Sequence, residues 1–300
     1  MPRIIVDCNG LAYRSLYSFG ELSYNQSKTG VIFGFLSEIL KLSERFQTNQ
    51  FIFCWDSRHS YRKEIEPEYK NNRGDISEIQ KKEIEKAHIQ FDLLRNEILP
   101  GMGFKNIFLQ SGYEADDLIA WIVYRCPDNY IIATGDDDLL QLLNDSINCP
   151  VKIFNLSKKI IFTETDFTKK YGIKPSDWPM VKAMGGCTSD NVRGIPGVGP
   201  ESAIKYMNGV LKEGKIKQKI ESEIGKIQIN HCLKLTHLPF DGDRQINIIQ
   251  DRDQFYKEEI FYSFDFKDQF IQYGCNSFTS EEGMYKWRKA FNLINGRKIQ

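Results

Sequence analysis

The chain has 300 residues, of which 41% are hydrophobic and 27% charged, and its formal net charge is zero. These values are typical of a folded protein with a sizeable core. They exclude a disordered chain and a strongly basic protein that binds nucleic acid through net charge alone. Short apolar runs, an N-terminus without a signal-peptide pattern and seven scattered cysteines predict a cytoplasmic protein with reduced thiols and no membrane span.

Strand-like and helix-like segments alternate through the first half of the chain. Four apolar runs predict buried strands: RIIVDCN, FIFCWD, FKNIFLQ and NYIIATG. Helical spacing covers Gly30–Phe46 and residues 114–125, and residues 151–164 predict a short hairpin. Strands separated by helices indicate an α/β fold with a parallel sheet flanked by helices on both faces.

A long charged insert separates the second and third predicted strands, at about residues 57–100. It far exceeds the dozen or so residues that a crossover needs, so we expect it to project as its own helical feature. A merely decorative insertion is the alternative. Strand signals fade after Lys174, which predicts one domain over residues 1–174 and a mainly helical region over residues 175–300.

Acidic residues follow all four predicted strands. They are Asp7 after the first strand, Asp56 after the second, Glu114, Asp116 and Asp117 after the third, and Asp136 and Asp138 after the fourth. The carboxyl ends of parallel strands form one ligand-binding edge, and clustered carboxylates select hard cations such as Mg²⁺ or Mn²⁺. Two such ions about 3.5–4 Å apart can cleave a phosphodiester. Helix capping and solvated acidic loops are the alternatives.

Other chemistries find less support in the sequence. The four histidines lack the spacing of zinc ligands, and neither a phosphate-binding P-loop nor a G-x-S-x-G nucleophile turn is present. Asp7 loosely resembles an aspartate phosphotransferase nucleophile. However, the second aspartate of that D-x-D pattern is Asn9 in this chain.

Two segments predict contacts with nucleic acid. The stretch GIPGVGPESAIKY places Gly194, Gly197, Gly199, Ser202 and Lys205 where a hairpin between helices could present backbone N–H groups to a phosphate. A plain helix–helix turn is the alternative. The stretch SYRKEIEPEYKNNR interleaves bases with an aromatic side chain, a pattern suited to single strands, through Arg62, Tyr69, Lys70 and Arg73. A solvated helix face would look the same.

Five motifs in this order resemble the 5′-nuclease (flap endonuclease) family: VDCNG, WDSRHSYRKEIEPEYKNNR, GYEADD, TGDDDLLQLL and MGGCTSDNVRGIPGVGPESA. The chain is most similar to the stand-alone bacteriophage members and to the 5′-nuclease domain of bacterial DNA polymerase I. The resemblance implies a PIN-like nuclease core, a helical arch formed by the insert, and a helix–hairpin–helix that grips duplex DNA. It also implies Mg²⁺-dependent hydrolysis at 5′ ends and flaps in DNA replication or repair.

The resemblance also implies roles for individual residues. The implied ligands of two Mg²⁺ or Mn²⁺ ions are Asp7, Asp56, Glu114, Asp116, Asp117, Asp136, Asp138 and Asp190. Asp7 and Asp56 would act in catalysis through water, Tyr69 would stack on a base, and Lys70 and Arg73 would stabilise charge on the scissile phosphate. Gly197 and Gly199 would contact the duplex backbone, with K⁺ bound at the hairpin.

The implied partner is DNA with 5′ flaps, 5′ ends or RNA primers. We expect a monomer in the bacterial cytoplasm, encoded by a phage or a bacterium, with replisome proteins as further partners.

One position departs from the family pattern. The family reads G-D-x-x-D-N before the hairpin, whereas this chain reads GCTSDN, with Cys187 in the place of an aspartate. A thiol is a poor ligand for Mg²⁺, so we expect weakened affinity at the outer metal position and a preference for Mn²⁺. Two alternatives stay open, namely a DNA-junction-binding protein with impaired cleavage and a PIN-type ribonuclease.

Overall fold

The computed structural model describes residues 1–71, 77–241, 245–248 and 256–296. The chain divides into two compact units, each built from separate stretches. Unit 1 comprises Met1–Trp55, Ser77–Phe108 and Ile249–Gln300, and unit 2 comprises Asp56–Ile76 and Leu109–Ile248. The predicted boundary at residue 174 stays a prediction. The two limbs of the charged insert belong to different units.

The four predicted strands occur in the predicted order, while the helix Cys8–Phe19 and a short hairpin at residues 23–28 were not predicted. The strands are β1 (Arg3–Asp7), β2 (Ser23–Tyr24), β3 (Ser27–Lys28), β4 (Phe51–Cys54), β5 (Ile107–Phe108), β6 (Tyr130–Thr134), β7 (Val151–Asn155) and β8 (Ile160–Phe162). The helices of the first half are α1 (Cys8–Phe19), α2 (Gly30–Phe46), α3 (Arg62–Ile65), α4 (Glu78–Leu93), α5 (Leu99–Gly101), α6 (Ala115–Arg125) and α7 (Glu164–Tyr171). The later helices are α8 (Trp178–Gly185), α9 (Pro200–Met207), α10 (Lys215–Glu221), α11 (Glu223–Thr236), α12 (Ser263–Gln272), α13 (Asn276–Thr279) and α14 (Glu281–Phe291). Shorter helical turns cover Leu94–Ile98, Asp138–Leu142 and Pro175–Asp177.

In unit 1, β1 and β4 pair in parallel, with Ile4 opposite Phe51 and Val6 opposite Phe53. β5 continues this parallel pairing next to β4 for only two residues, so the third predicted strand is shorter than FKNIFLQ suggests. Just before β5, the side-chain amide of Asn106 donates to the carbonyl of Lys257 at 2.9 Å and to the Glu259 carboxylate at 2.9 Å. These bonds tie the segment before β5 to another loop of the same unit.

In unit 2, β6 and β7 pair in parallel, with Tyr130 opposite Val151. β7 and β8 form an antiparallel hairpin, with Ile153 opposite Phe162, which confirms the hairpin predicted for residues 151–164. The predicted α/β class, a PIN-like sheet flanked by helices, is confirmed, with β8 making the sheet mixed rather than wholly parallel. Among the described residues, no helix has both the length and the apolar character that a membrane crossing requires.

The C-terminal helices of unit 1 enclose an aromatic cluster around Trp287. This side chain of α14 is completely buried. Its ring centroid lies 5.5 Å from Phe266, 5.1 Å from Phe270, 5.5 Å from Phe278 and 5.2 Å from Phe291. Aromatic pairs at such distances add to the stability that burial of their apolar surface provides. The cluster therefore anchors α12, α13 and α14 to one another.

Replacing Trp287 with alanine should lower the free energy of unfolding by about 3–5 kcal/mol, because it opens a cavity inside the cluster. The matched control is Tyr285→Ala on the same helix, where the side chain is 63% exposed. That control should change the free energy by less than about 0.5 kcal/mol. Urea denaturation followed by circular dichroism measures both, and equal losses for the two variants would contradict the packing role of Trp287.

Candidate metal centre

The three consecutive aspartates after β6 are separated by local hydrogen bonds. The hydroxyl of Thr134, the last residue of β6, accepts from the Asp136 amide at 2.9 Å, and the Asp136 carboxylate accepts from the Asp138 amide at 2.8 Å. Asp137 is exposed, and its carbonyl accepts from the Trp178 indole at 2.8 Å. The turn thus leaves Asp137 in solvent, while Asp136 and Asp138 are partly buried.

Asp138 lies close to two residues of the loop that follows α8. One possible ligand atom each of Asp138, Cys187 and Asp190 falls within 4.8 Å of the others. The loop is held by reciprocal backbone hydrogen bonds between Cys187 and Val192, each 2.9 Å long. The Cys187 thiol lies 3.0 Å from the Ser189 hydroxyl and 3.6 Å from the Asp190 carboxylate. The fold therefore gathers a thiol and two carboxylates from two separate segments.

A lysine that the sequence did not single out adds positive charge next to Asp138. The ammonium of Lys182, on α8, forms an ion pair with the Asp138 carboxylate. A single lysine within a helix is common and gives no signal of its own. The packing of α8 beside the Asp138–Leu142 turn brings the two charges together. Basic charge at this centre thus comes from α8 as well as from the insert.

Lys70 supplies the second basic charge. Its ammonium donates to Glu114 at 2.9 Å and lies 3.8 Å from the Asp190 carboxylate. Its own backbone is in the left-handed region, with φ of 57°, and its amide donates to the Asp190 carbonyl at 2.9 Å. The insert is thereby joined to the Cys187–Asp190 loop through both backbone and side chain.

The pKa values show what these contacts do to the charges. Burial tends to lower the pKa of Lys70, but Glu114 together with Tyr69, Asp190 and Asp116 outweighs it, so that the pKa rises well above its ordinary value. Burial likewise tends to raise the pKa of Glu114, yet Lys70 and Arg62 bring it below the usual range. Both groups are therefore charged at neutral pH. Asp116 contributes to the same field, since its charge also raises the pKa of Lys70.

Asp136 shows that the centre remains short of positive charge. Burial raises its pKa, Lys182 opposes this shift, and the nearby Asp190 raises the pKa further. Desolvation and a like charge are the two effects that disfavour an ionised carboxylate. A divalent cation would relieve both, and oxygen ligands of this type suit a hard cation. The acidic cluster therefore suits a divalent metal, and the individual ligands among Glu114, Asp116, Asp136, Asp138 and Asp190 stay predictions.

Asp117 and Arg62 form a separate, fully buried pair. The guanidinium donates to both Asp117 oxygens, at 2.6 and 2.7 Å, and to the carbonyl of Leu235 at 3.0 Å. The same carboxylate accepts the amides of Phe240 at 2.7 Å and Glu114 at 3.1 Å. The sequence predicted a metal ligand at Asp117 and a nucleic-acid contact at Arg62. This geometry favours a structural role for both, and their predicted roles in metal binding and DNA contact stay predictions.

Tyr69 is held in the protein rather than offered to a base. Its side chain is buried, and its hydroxyl donates to Glu114 at 3.1 Å. Stacking on a base would need the ring to leave this position, so the predicted stacking stays a prediction. Arg73, predicted to stabilise the scissile phosphate, lies outside the described residues.

The two remaining predicted ligands both contact the start of a helix. The Asp56 carboxylate accepts the amide of Ala115, the first residue of α6, at 2.7 Å. Asp7, in unit 1, precedes α1 and accepts the amide of Gly10 at 3.0 Å. Both lie at strand ends as the sequence predicts. Their roles as ligands and in catalysis stay predictions.

The glycine-rich hairpin joins α8 to α9. Gly194 is needed for packing, because a Cβ at this position would clash with the backbone of Gly186 and Met184. Gly197 has φ of 84°, a conformation that favours glycine. A Cβ at Gly199 would meet no described atom within 4 Å, so the hairpin is open there. Lys205 is exposed on α9 and Ser202 is half-buried. The predicted DNA contacts of these residues stay predictions.

Comparisons with known proteins show which family the chain is similar to. A sequence profile described as "5'-3' exonuclease, N-terminal resolvase-like domain" matches residues 2–172. The 5′-3′ exonuclease of Buchnera aphidicola subsp. Schizaphis graminum (strain Sg) is 30% identical over 98% of this chain and 95% of its own length. DNA polymerase I of Mycobacterium leprae (strain TN) is 29% identical over 75% of this chain, but only 24% of that protein is covered.

A solved structure extends the likeness to the fold. The flap endonuclease of bacteriophage T5, in a complex with DNA and metal ions, superposes with a TM-score of 0.64. The two are 23% identical, and the match covers 80% of this chain and 90% of the phage protein. This likeness shows a common fold.

Replacing Arg62 with methionine should destabilise the protein by about 3–5 kcal/mol, because it leaves the Asp117 charge buried without its partner. The neighbouring Lys63→Met variant removes the same charge from an exposed position and should change stability by less than about 0.5 kcal/mol. Thermal melting measures the two. An Arg62 variant as stable as the parent, but weakened in DNA binding, would contradict the structural role and restore the predicted contact.

Proposed function

The chain belongs to the 5′-nuclease family, and on that premise we propose that it hydrolyses phosphodiesters at 5′ ends and flaps of branched or primer-containing DNA. The observation that carries the proposal is the meeting of acidic residues from three separate segments around two lysines, namely Glu114, the pair Asp136 and Asp138, and Asp190. Such a cluster is costly to bury unless it serves a cation. The phage relative that shares this fold is bound to both DNA and metal ions.

We propose Mg²⁺ as the cation, held by the oxygens of Glu114, Asp116, Asp136, Asp138 and Asp190, with Asp56 acting through water. Two such ions supply an activated water and stabilise the leaving oxygen in phosphodiester hydrolysis. Mn²⁺ suits the same ligands. The first limb of the insert and the glycine hairpin would then contact the DNA.

The protein's own basic groups have a clear task in this reaction. Lys70 and Lys182 keep two positive charges at the carboxylates, where the scissile phosphate would have to approach. Positive side chains there offset the repulsion between a phosphate and the acidic centre. Lys70 is held by its backbone as well as by Glu114, so its position is fixed before the substrate arrives.

A second candidate function is binding of DNA junctions without efficient cleavage. Cys187 favours it, because a thiol stands among the ligand atoms at a position where this family has an aspartate. A soft, largely protonated thiol binds Mg²⁺ weakly. The two candidates differ in whether bound DNA is cut.

Product mapping on one labelled 5′-flap duplex with Mg²⁺ tests the proposed function. We expect the parent to release the flap with a 5′-phosphate on the remaining strand. Asp138→Ala should slow cleavage by at least about a hundredfold, since even outer partners of a metal site are worth 10–100-fold. The exposed neighbour Asp137→Ala is the matched control and should cut like the parent.

Three outcomes decide between the candidates. Cleavage by the parent and by the Asp137 variant, but not by the Asp138 variant, supports the nuclease. A gel shift without cleavage by the parent supports the junction-binding protein. Faster cleavage of single-stranded RNA than of the DNA flap would indicate a PIN-type ribonuclease.

Replacing Cys187 with aspartate should lower the Mg²⁺ concentration at half-maximal cleavage by about tenfold, because it adds a hard oxygen ligand beside Asp138 and Asp190. The gain should be smaller with Mn²⁺, which tolerates a softer ligand. Cys187→Ser is the control, since it removes the thiol without adding a carboxylate. Metal titrations that coincide for the parent and Cys187→Asp would show that this side chain takes no part in metal binding.

A further inference from the structure

The glycine hairpin presents backbone carbonyls as well as amides. Two backbone hydrogen bonds close its turn. The amide of Ile195 donates to the Met184 carbonyl, and the amide of Val198 donates to the Ile195 carbonyl, both at 2.9 Å. The carbonyl of Arg193 accepts from the Gln228 side chain at 2.6 Å and from the Cys232 thiol at 3.2 Å. Helix α11 therefore covers the start of the hairpin with neutral donors.

The carbonyl of Pro196 differs from that of Arg193, because it accepts a hydrogen bond from a charged group. The ammonium of Lys219, on α10, donates to it at 2.7 Å. A Cβ built at Gly197 would lie 3.3 Å from the same ammonium, so the charge sits beside the tip of the hairpin. A charge-assisted hydrogen bond of this kind is stronger than a neutral one.

The backbone at Lys219 is held in place by the junction of α10 and α11. The Ser222 hydroxyl donates to the Lys219 carbonyl at 2.8 Å and accepts the Gly225 amide at 3.1 Å. Glycine is required at position 225, since a Cβ there would clash with that same carbonyl. The lysine is thus mounted on a fixed point of the chain, although its side chain is exposed.

A cation at this point has a physical purpose. A hairpin that holds a phosphate with its N–H groups turns carbonyls elsewhere, and a positive charge on those oxygens offsets their repulsion of a polyanion. The family resemblance predicts K⁺ for the hairpin. The residues present do not fit K⁺ at the Pro196 carbonyl, because an ammonium already occupies that oxygen.

We propose that Lys219 is a built-in replacement for a monovalent cation, so that the hairpin binds DNA without needing K⁺. The inference rests on the proposed function, because it assumes that the hairpin contacts a DNA backbone. The inference concerns which cation DNA binding by the hairpin requires, and not the chemistry at the metal centre.

Fluorescence anisotropy of a labelled 5′-flap duplex tests this with EDTA present, so that cleavage plays no part. Binding is compared in potassium, sodium, lithium and tetramethylammonium chloride at one ionic strength. The parent should bind equally in all four salts. Lys219→Met should lose about tenfold in affinity, or about 1.4 kcal/mol, in tetramethylammonium, and K⁺ should restore the loss. Lys219→Arg should behave like the parent.

The matched control is Lys217→Met, which removes the same charge from the same helix, where Lys217 pairs with Glu213. It should change binding equally in every salt, and circular dichroism should show all variants folded. A parent that binds better in K⁺, a Lys219→Met loss equal in all salts, or no loss at all would overturn the inference. A parent that binds the duplex in no salt would overturn the proposed function as well.

Discussion

The need to neutralise carboxylates that are removed from water governs this protein. Burying an ionised carboxylate costs several kcal/mol unless a positive group accompanies it. In unit 2, three ion pairs offset this cost: Lys70 with Glu114, Arg62 with Asp117, and Lys182 with Asp138. Each pair joins elements distant in sequence, so the first limb of the insert, α6, α8 and the turn after β6 are positioned by the same requirement.

The three ion pairs differ in solvent exposure and in geometry. The fork of Arg62 matches both oxygens of Asp117, and neither side chain has appreciable exposure. Lys182 and Asp138 retain 15% and 13% of their side-chain surface in solvent, and Lys70 retains 20%. An ammonium is a point charge without fixed geometry, whereas a guanidinium fork is directional. The arginine pair therefore suits architecture, and the lysine pairs suit a surface where ions and phosphates exchange.

Sequence patterns predict most of the fold but only part of the candidate metal centre. The bounds of α2 and the buried runs of β1, β4 and β6 follow from periodicity, which local sequence encodes. No local pattern contains the bonds that Asn106, just before β5, makes to residues some 150 positions later in the chain. The ion pair of Asp117 with Arg62 could not be predicted for the same reason. Asp116 and Asp117 are adjacent acids of the same type, and only the fold brings Arg62 to one of them. Lys182 gave no signal because its partner, Asp138, is brought near only by packing.

The charged insert looks like one module in the sequence, yet its two limbs are parts of different compact units. Its first limb is fastened within unit 2 by the Lys70 amide on the Asp190 carbonyl, the Asn191 amide group on the Glu68 carbonyl at 2.7 Å, and the pairing of His231 with Glu66 at 3.2 Å. An engineer who transplants this insert between relatives would therefore have to carry the Cys187–Val192 loop and the face of α11 with it. A graft bounded by the sequence insertion alone would leave its anchors behind.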